Sequence, residues 1–66
     1  MALKCRLKDI LDERGIKQTW LIEKTGISQS AMSRIVNGTS LPTLEAAYKI
    51  AQALDVHIED IWKPDD

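Results

Sequence analysis

Residues 25–38, TGISQSAMSRIVNG, contain the pattern that decides the fold. Ser28 is a favoured helix N-cap and Asn37-Gly38 is a strong stop and turn signal, so a helix is predicted over 28–37. At about 100° per residue, the apolar side chains of this helix fall on one side and the polar side chains on the other. The polar side consists of Gln29, Ser30, Ser33, Arg34 and Asn37.

This polar side contains no carboxylate, although the chain holds ten Asp and Glu residues. Amide, hydroxyl and guanidinium groups approach a polyanion without repulsion, and they pair with DNA base edges. The helical wheel alone favours a nucleic-acid contact and a neutral surface helix equally. The short helix and the turn over 25–28 that precede it favour the nucleic-acid contact, because that arrangement places a second helix in a DNA major groove.

The rest of the chain divides into helices at its glycines and prolines. Helices are predicted over 2–14, 17–25, 43–54 and 58–62, and no run alternates as a strand would. Residues 63–66 are expected to form a frayed acidic tail. The prediction is therefore all-α: one compact five-helix domain over 1–66, with its core within about 3–62. The predicted core stripe of the fourth helix is Leu44, Ala47, Ile50, Ala51 and Leu54.

Composition narrows the class of protein. A chain of 66 residues allows one domain. Its only cysteine, Cys5, cannot form an internal disulfide, which favours a reducing compartment. No apolar run approaches the length of a membrane span, and the start turns charged too early for a secretory signal, so a cytoplasmic location is expected.

The charged residues are distributed unevenly along the chain. Residues 1–38 carry seven Lys and Arg against four Asp and Glu, whereas residues 39–66 carry two against six. Only the N-terminal part can supply a basic face.

An enzyme is not expected. The sequence has no Gly-rich phosphate loop and no cluster with metal-ligand spacing, so no cofactor or metal is predicted. Cys5 and His57 fall on different predicted helices. Cys5 is expected to be exposed on the first helix, opposite its apolar stripe, and His57 is expected to act as an N-cap before Ile58.

The whole chain resembles the phage-repressor-type helix-turn-helix family (Cro/cI or XRE type) over about residues 3–62. The resemblance implies a lambda-repressor-like DNA-binding domain that regulates transcription. Its motifs occur in the family's order from the second helix to the end of the fifth. The matching residues are Gln18, Leu21, Gly26, Ile27-Ser28, Met32-Ser33-Arg34-Ile35, Asn37-Gly38, Pro42-Thr43-Leu44, Ile50-Ala51-Gln52-Ala53-Leu54 and Val56-His57-Ile58-Glu59-Asp60-Ile61.

The resemblance also implies roles for individual residues. Gln18 matches the family glutamine that contacts a DNA phosphate and can brace the reading glutamine, here Gln29. The residues that the resemblance assigns to base reading are Gln29, Ser30, Ser33 and Arg34. The expected phosphate contacts are Lys17, Gln18, Ser28, Asn37, Thr39 and Ser40.

Two departures from the family pattern affect the expected binding. Lys17 replaces the usual Ser or Thr cap of the second helix, so that helix should fray more easily. Thr39-Ser40 replaces a basic pair that the family often has. Because each lost cation reduces counterion release, a weak monomer affinity and a shallow salt dependence are expected.

The leading interpretation is a sequence-specific regulator of double-stranded DNA, a repressor that occupies an operator as a homodimer on a palindromic site. The rival is an antitoxin-like or adaptor module whose main partner is another protein. Trp20 and Trp62 are the candidate partner surface, because aromatic residues are enriched at interface hot spots. Trp62 is favoured for the dimer contact, although both tryptophans could instead cover the edge of the core.

Overall fold

A computed structural model describes residues 2–65, so Met1 and Asp66, the ends of the predicted domain, lie outside the described residues. Five helices account for most of the described chain, which confirms the predicted helical fold. No helix within 2–65 combines the length and the apolar character that a membrane crossing requires. The elements in chain order are β1 (Leu3–Cys5), α1 (Leu7–Arg14), α2 (Gln18–Thr25), α3 (Gln29–Val36), α4 (Leu44–Leu54), α5 (Ile58–Ile61) and β2 (Trp62–Pro64).

Side-chain caps set where α3 and α4 begin. The Ser28 hydroxyl accepts the Ala31 N–H at 3.2 Å, and the Thr43 hydroxyl accepts the Ala46 N–H at 3.1 Å. Each bond satisfies one of the amide groups that a helix leaves unpaired in its first turn. By contrast, Lys17 precedes α2 without a side-chain cap, as its chemistry predicts.

The turn between α2 and α3 is held by local hydrogen bonds. Gly26 ends α2 with φ of 75°, a left-handed conformation that glycine adopts without strain, and its N–H donates to the Ile22 carbonyl at 2.8 Å. The Thr25 hydroxyl donates to the Leu21 carbonyl at 2.8 Å and accepts the Ile27 N–H at 3.3 Å. Together these contacts fix the direction in which α3 leaves the turn.

The core draws one fully buried large side chain from every helix. These side chains are Leu7, Leu21, Met32, Ile50 and Ile61. Burying each of them contributes about 1.5–3 kcal/mol relative to leaving it exposed.

One member of the predicted core stripe of α4 is outside the core. Ala47, Ile50, Ala51 and Leu54 are buried, but Leu44 is 79% exposed. Leu44 is the first residue of α4, where no neighbouring element covers it. The prediction for Leu44 is therefore wrong.

The chain ends form a two-stranded antiparallel ribbon that the sequence did not predict. Its register pairs Leu3 with Pro64, Lys4 with Lys63, and Cys5 with Trp62. The first helix therefore begins at Leu7 and not at residue 2, and residues 63–64 are paired where a frayed tail was expected. Three-residue strands are too short to show alternation, and the two partners lie at opposite ends of the sequence.

The ribbon also turns the Trp62 side chain into the core. Trp62 is 6% exposed, and its indole N–H has no hydrogen-bond partner among the described residues. The expectation that Trp62 forms an exposed partner surface is wrong, because β2 directs this side chain inward. Trp20 remains accessible at 37% exposure, with the Lys24 ammonium 5.7 Å from its ring centre.

Cys5 also differs from its predicted environment. It lies on β1 and not on α1, and it is half-buried where full exposure was expected. The thiol donates to the Ile35 carbonyl with a sulfur–oxygen distance of 3.4 Å. Burial raises the pKa of the Cys5 thiol, which disfavours the reactive thiolate.

Candidate nucleic-acid interface

The amphipathic pattern of α3 appears directly in its burial. Met32, Ile35 and Val36 are buried in the core. The opposite side of the helix is accessible and carries only amide, hydroxyl and guanidinium groups. We call this surface the α3 polar face; it consists of Gln29, Ser30 and Arg34, which are exposed, and Ser33, which is half-buried.

Arg34 is held along the α3 polar face by its neighbour one turn earlier. One terminal nitrogen of its guanidinium donates to the Ser30 hydroxyl at 3.2 Å, and Nε donates to the Ser30 carbonyl at 3.4 Å. A guanidinium has five N–H donors, so these two bonds leave three for another partner. The Arg34 side chain is therefore held in one orientation and still has free hydrogen-bond donors.

Gln18 connects the start of α2 to the α3 polar face. Its amide nitrogen donates to the Ser33 hydroxyl at 2.9 Å. The bracing partner is therefore Ser33, whereas the family resemblance implied Gln29. The packing of α2 on α3 brings Gln18 beside the second turn of α3, and Ser33 is the residue that faces it. The bond leaves the Ser33 hydroxyl proton free to donate elsewhere.

A shallow groove lies beside the C-terminal end of α3, between α1 and the start of α2. Its volume is about 330 Å³, and it brings together three of the expected phosphate contacts, Lys17, Gln18 and Asn37. Lys8 of α1 lines the same groove and adds a second ammonium, opposed by one carboxylate, Asp12. Lys8 could not be identified from the sequence, because only the packing of α1 against α3 brings it there.

A second groove, also of about 330 Å³, lies on the other side of α3. Arg34, Ser40 and Thr43 line it, so Ser40 is separated from the three phosphate candidates of the first groove. The α3 polar face is thus bordered by hydrogen-bonding groups on both sides. A duplex presents the same order across its major groove, with base edges between two rows of phosphates.

The hydroxyl groups of Ser28 and Thr39 differ in what they can still donate. Ser28 accepts a backbone N–H as the cap of α3, so its own proton is free for a phosphate oxygen. The Thr39 hydroxyl instead donates to the Arg34 carbonyl at 3.2 Å, beside the Thr39 N–H, which donates to the same oxygen at 3.0 Å. Thr39 therefore stabilises the end of α3 in this structure.

Acidic residues are distributed unevenly among the helix starts. The first turn of α1 contains Asp9, that of α4 contains Glu45, and that of α5 contains Glu59 and Asp60. The first turns of α2 and α3 contain no acidic residue. A helix N-terminus carries partial positive charge and favours anions. The starts of α2 and α3, which lie next to the α3 polar face, therefore lack the acidic side chain that the first turns of α1, α4 and α5 contain.

Three comparisons with known proteins agree with this geometry. The family model of the Cro/C1-type HTH DNA-binding domain matches residues 2–66. An uncharacterized HTH-type transcriptional regulator of Archaeoglobus fulgidus is 30% identical over 64 residues, which cover 97% of this chain and 91% of that protein. The crystal structure of a candidate DNA-binding protein from Bacteroides fragilis matches with a TM-score of 0.82 and 30% identity, covering 92% of this chain and 98% of that one.

The sequence-based resemblance is therefore confirmed, and so is the expectation that the protein is not an enzyme. The match extends through the ribbon as well as the helices. The chain belongs to the Cro/C1-type HTH DNA-binding domain family, whose members are DNA-binding transcriptional regulators.

Proposed function

We propose that this protein represses transcription by occupying a specific operator in double-stranded DNA, as a homodimer on a palindromic site. The observation that carries the proposal is the α3 polar face, which is accessible, free of carboxylates and bordered on both sides by grooves with hydrogen-bonding groups. Because no catalytic or ligand-binding step is invoked, occupancy alone accounts for repression.

Base reading is assigned to the α3 polar face on chemical grounds. Arg34 matches the two acceptors of guanine in the major groove, and Gln29 matches the donor and acceptor of adenine. Ser30 and Ser33 can pair with several base edges. The bonds from Arg34 to Ser30, and from Gln18 to Ser33, restrict these side chains before DNA binds. Such restriction lowers the entropy cost of ordering them in a complex.

Phosphate contacts are assigned to the groups that border this face. Lys8, Lys17, Gln18 and Asn37 would follow one DNA strand, and Ser40 would lie toward the other. Ser28 can donate its free hydroxyl proton beside the start of α3. Thr39 contributes by holding the loop in place. These contacts would fix the orientation of α3, while the bases supply specificity.

Selection of bound sequences from random duplex DNA tests the proposal. We expect enrichment of a short palindrome whose half-sites lie about one helical turn apart, roughly 10 base pairs from centre to centre. Failure to enrich any sequence would contradict sequence-specific reading. Enrichment of a single asymmetric half-site would contradict the palindromic homodimer but not base reading by α3.

The salt dependence of DNA binding provides a quantitative prediction. With Lys8 and Lys17 as the cationic phosphate contacts, the slope of log K against log salt should be about −1.8 per protomer. Lys17→Ala and Lys8→Ala should each make the slope shallower by about 0.9. Lys24→Ala is the matched control, because Lys24 lies in the last turn of α2 and contacts the Trp20 ring. A change in slope for Lys24→Ala alone would place the phosphate contacts elsewhere.

A second candidate function is that of an antitoxin-like or adaptor module with a protein partner. The observation that favours it is Trp20, which is accessible and lines a groove of about 400 Å³ beside Lys17, Thr19 and Glu23. In that case Trp20→Ala would abolish association with the partner and leave DNA binding unchanged. Arg34→Ala would have the opposite pattern, so the two functions are separable by binding measurements.

A further inference from the structure

The accessible apolar side chains of this protein are concentrated on one side. Of the five large hydrophobic residues that are exposed within 2–65, all but Trp20 lie near the start of α4. Leu3, Leu41 and Leu44 line one groove of about 250 Å³, and Tyr48 follows Leu44 by one helical turn. We call this surface the α4 patch; its members are Leu3 at 43% exposure, Leu41 at 65%, Leu44 at 79% and Tyr48 at 56%.

The charged residues beside the α4 patch would pair with their opposites in a second copy of the chain. Glu45 and Lys49 lie one turn apart on α4 and form an exposed ion pair at 3.3 Å. If a second α4 packs antiparallel to the first, Glu45 of each copy faces Lys49 of the other. The same two-fold arrangement places Leu44 within one helical turn of Tyr48 of the other copy. Isologous interfaces have this property, because every contact occurs twice.

We infer that the α4 patch is the surface on which a second copy of this chain docks about a two-fold axis. The inference rests on the proposed homodimer and names its interface. Leu41 comes directly after Ser40, which borders the second groove beside α3, so this interface lies next to the surface proposed for DNA.

The interface predicts a measurable response to changes in charge. By sedimentation velocity over rising concentration, the mass of the unmodified protein should increase from 7.4 kDa toward twice that value. Glu45→Lys and Lys49→Glu should each weaken self-association at least about ten-fold, because like charges then face each other. An equimolar mixture of the two variants should associate again, since each supplies the charge that the other lacks.

The Leu44→Asp variant should remain monomeric. Trp20→Asp is the matched control, because this substitution places the same charge at the large exposed hydrophobic residue within 2–65 that lies outside the α4 patch. Circular dichroism should be unchanged in all of these variants, since the substituted side chains are exposed. A protein that stays at 7.4 kDa at every concentration would overturn the inference. So would a dimer that survives Leu44→Asp, or one that Trp20→Asp dissociates. In those last two cases the proposed homodimer would stand and only its interface would be wrong.

Discussion

Arg34→Ala should lower the affinity for a selected operator by about 1–3 kcal/mol, or roughly 5- to 150-fold, and relax the sequence preference at one base pair. The loss follows from the guanidinium, which lies on the α3 polar face with donors not used by Ser30. Fluorescence anisotropy with the operator and with a scrambled duplex of the same length measures both quantities.

Arg34→Lys separates the charge of this residue from its geometry. Lysine retains the positive charge but cannot form the two parallel bonds that a guanidinium makes to guanine. We therefore expect Arg34→Lys to bind the scrambled duplex nearly as well as the unmodified protein and to lose most of its preference at the one base pair that Arg34 reads. An unchanged preference in both variants would exclude Arg34 from base reading.

Trp62→Ala should lower the free energy of unfolding by about 3–5 kcal/mol, the usual cost of removing a buried tryptophan side chain. A domain of 66 residues has a total stability of only about 3–10 kcal/mol at 0.05–0.15 kcal/mol per residue. Much of the Trp62→Ala protein should therefore be unfolded at room temperature. Chemical denaturation followed by circular dichroism measures the change.

Two further variants test the reason for that loss. Trp20→Ala should change the unfolding free energy by no more than about 1 kcal/mol, because Trp20 is partly exposed. Trp62→Phe keeps most of the buried ring and removes an indole N–H that has no partner among the described residues, so it should cost far less than Trp62→Ala. A Trp62→Ala protein with unchanged stability would contradict the inward orientation of this side chain.

The local features of the fold could be predicted because their causes are local. The N-caps Ser28 and Thr43 and the stop at Gly26 act within a few residues, so the sequence shows them directly. The separation of polar and apolar residues on α3 likewise follows from helical periodicity alone. These signals were sufficient to place the α3 polar face on the surface.

The features that sequence reasoning missed depend on distant contacts. The spacing of Leu3 and Leu7 fits one face of a helix, yet β1 pairs with β2 at the other end of the chain. That pairing also buries Trp62, which was expected to form a dimer contact at the end of the fifth helix. Leu44 has the right helical phase for the core, but no element covers its side chain at the start of α4.

The candidate site also combines residues that the sequence identifies with contacts that depend on packing between helices. Gln29, Ser30, Ser33 and Arg34 were identified from the helical wheel and the family resemblance. The bond between Gln18 and Ser33 and the presence of Lys8 in the first groove depend on how α1 and α2 pack against α3. Periodicity identifies which residues share a face of one helix, but it does not determine which residues of other helices lie beside that face.

Amide chemical-shift mapping by NMR tests the central claim most directly. The protein would be titrated with the duplex recovered by selection, and the shifted amides would be located on the structure. We expect the largest shifts at residues 29–34, with smaller ones at 17–18 and 37–40. If residues 29–34 remain unshifted while DNA binds, or if the shifts centre on Trp20, the assignment of DNA reading to the α3 polar face is contradicted.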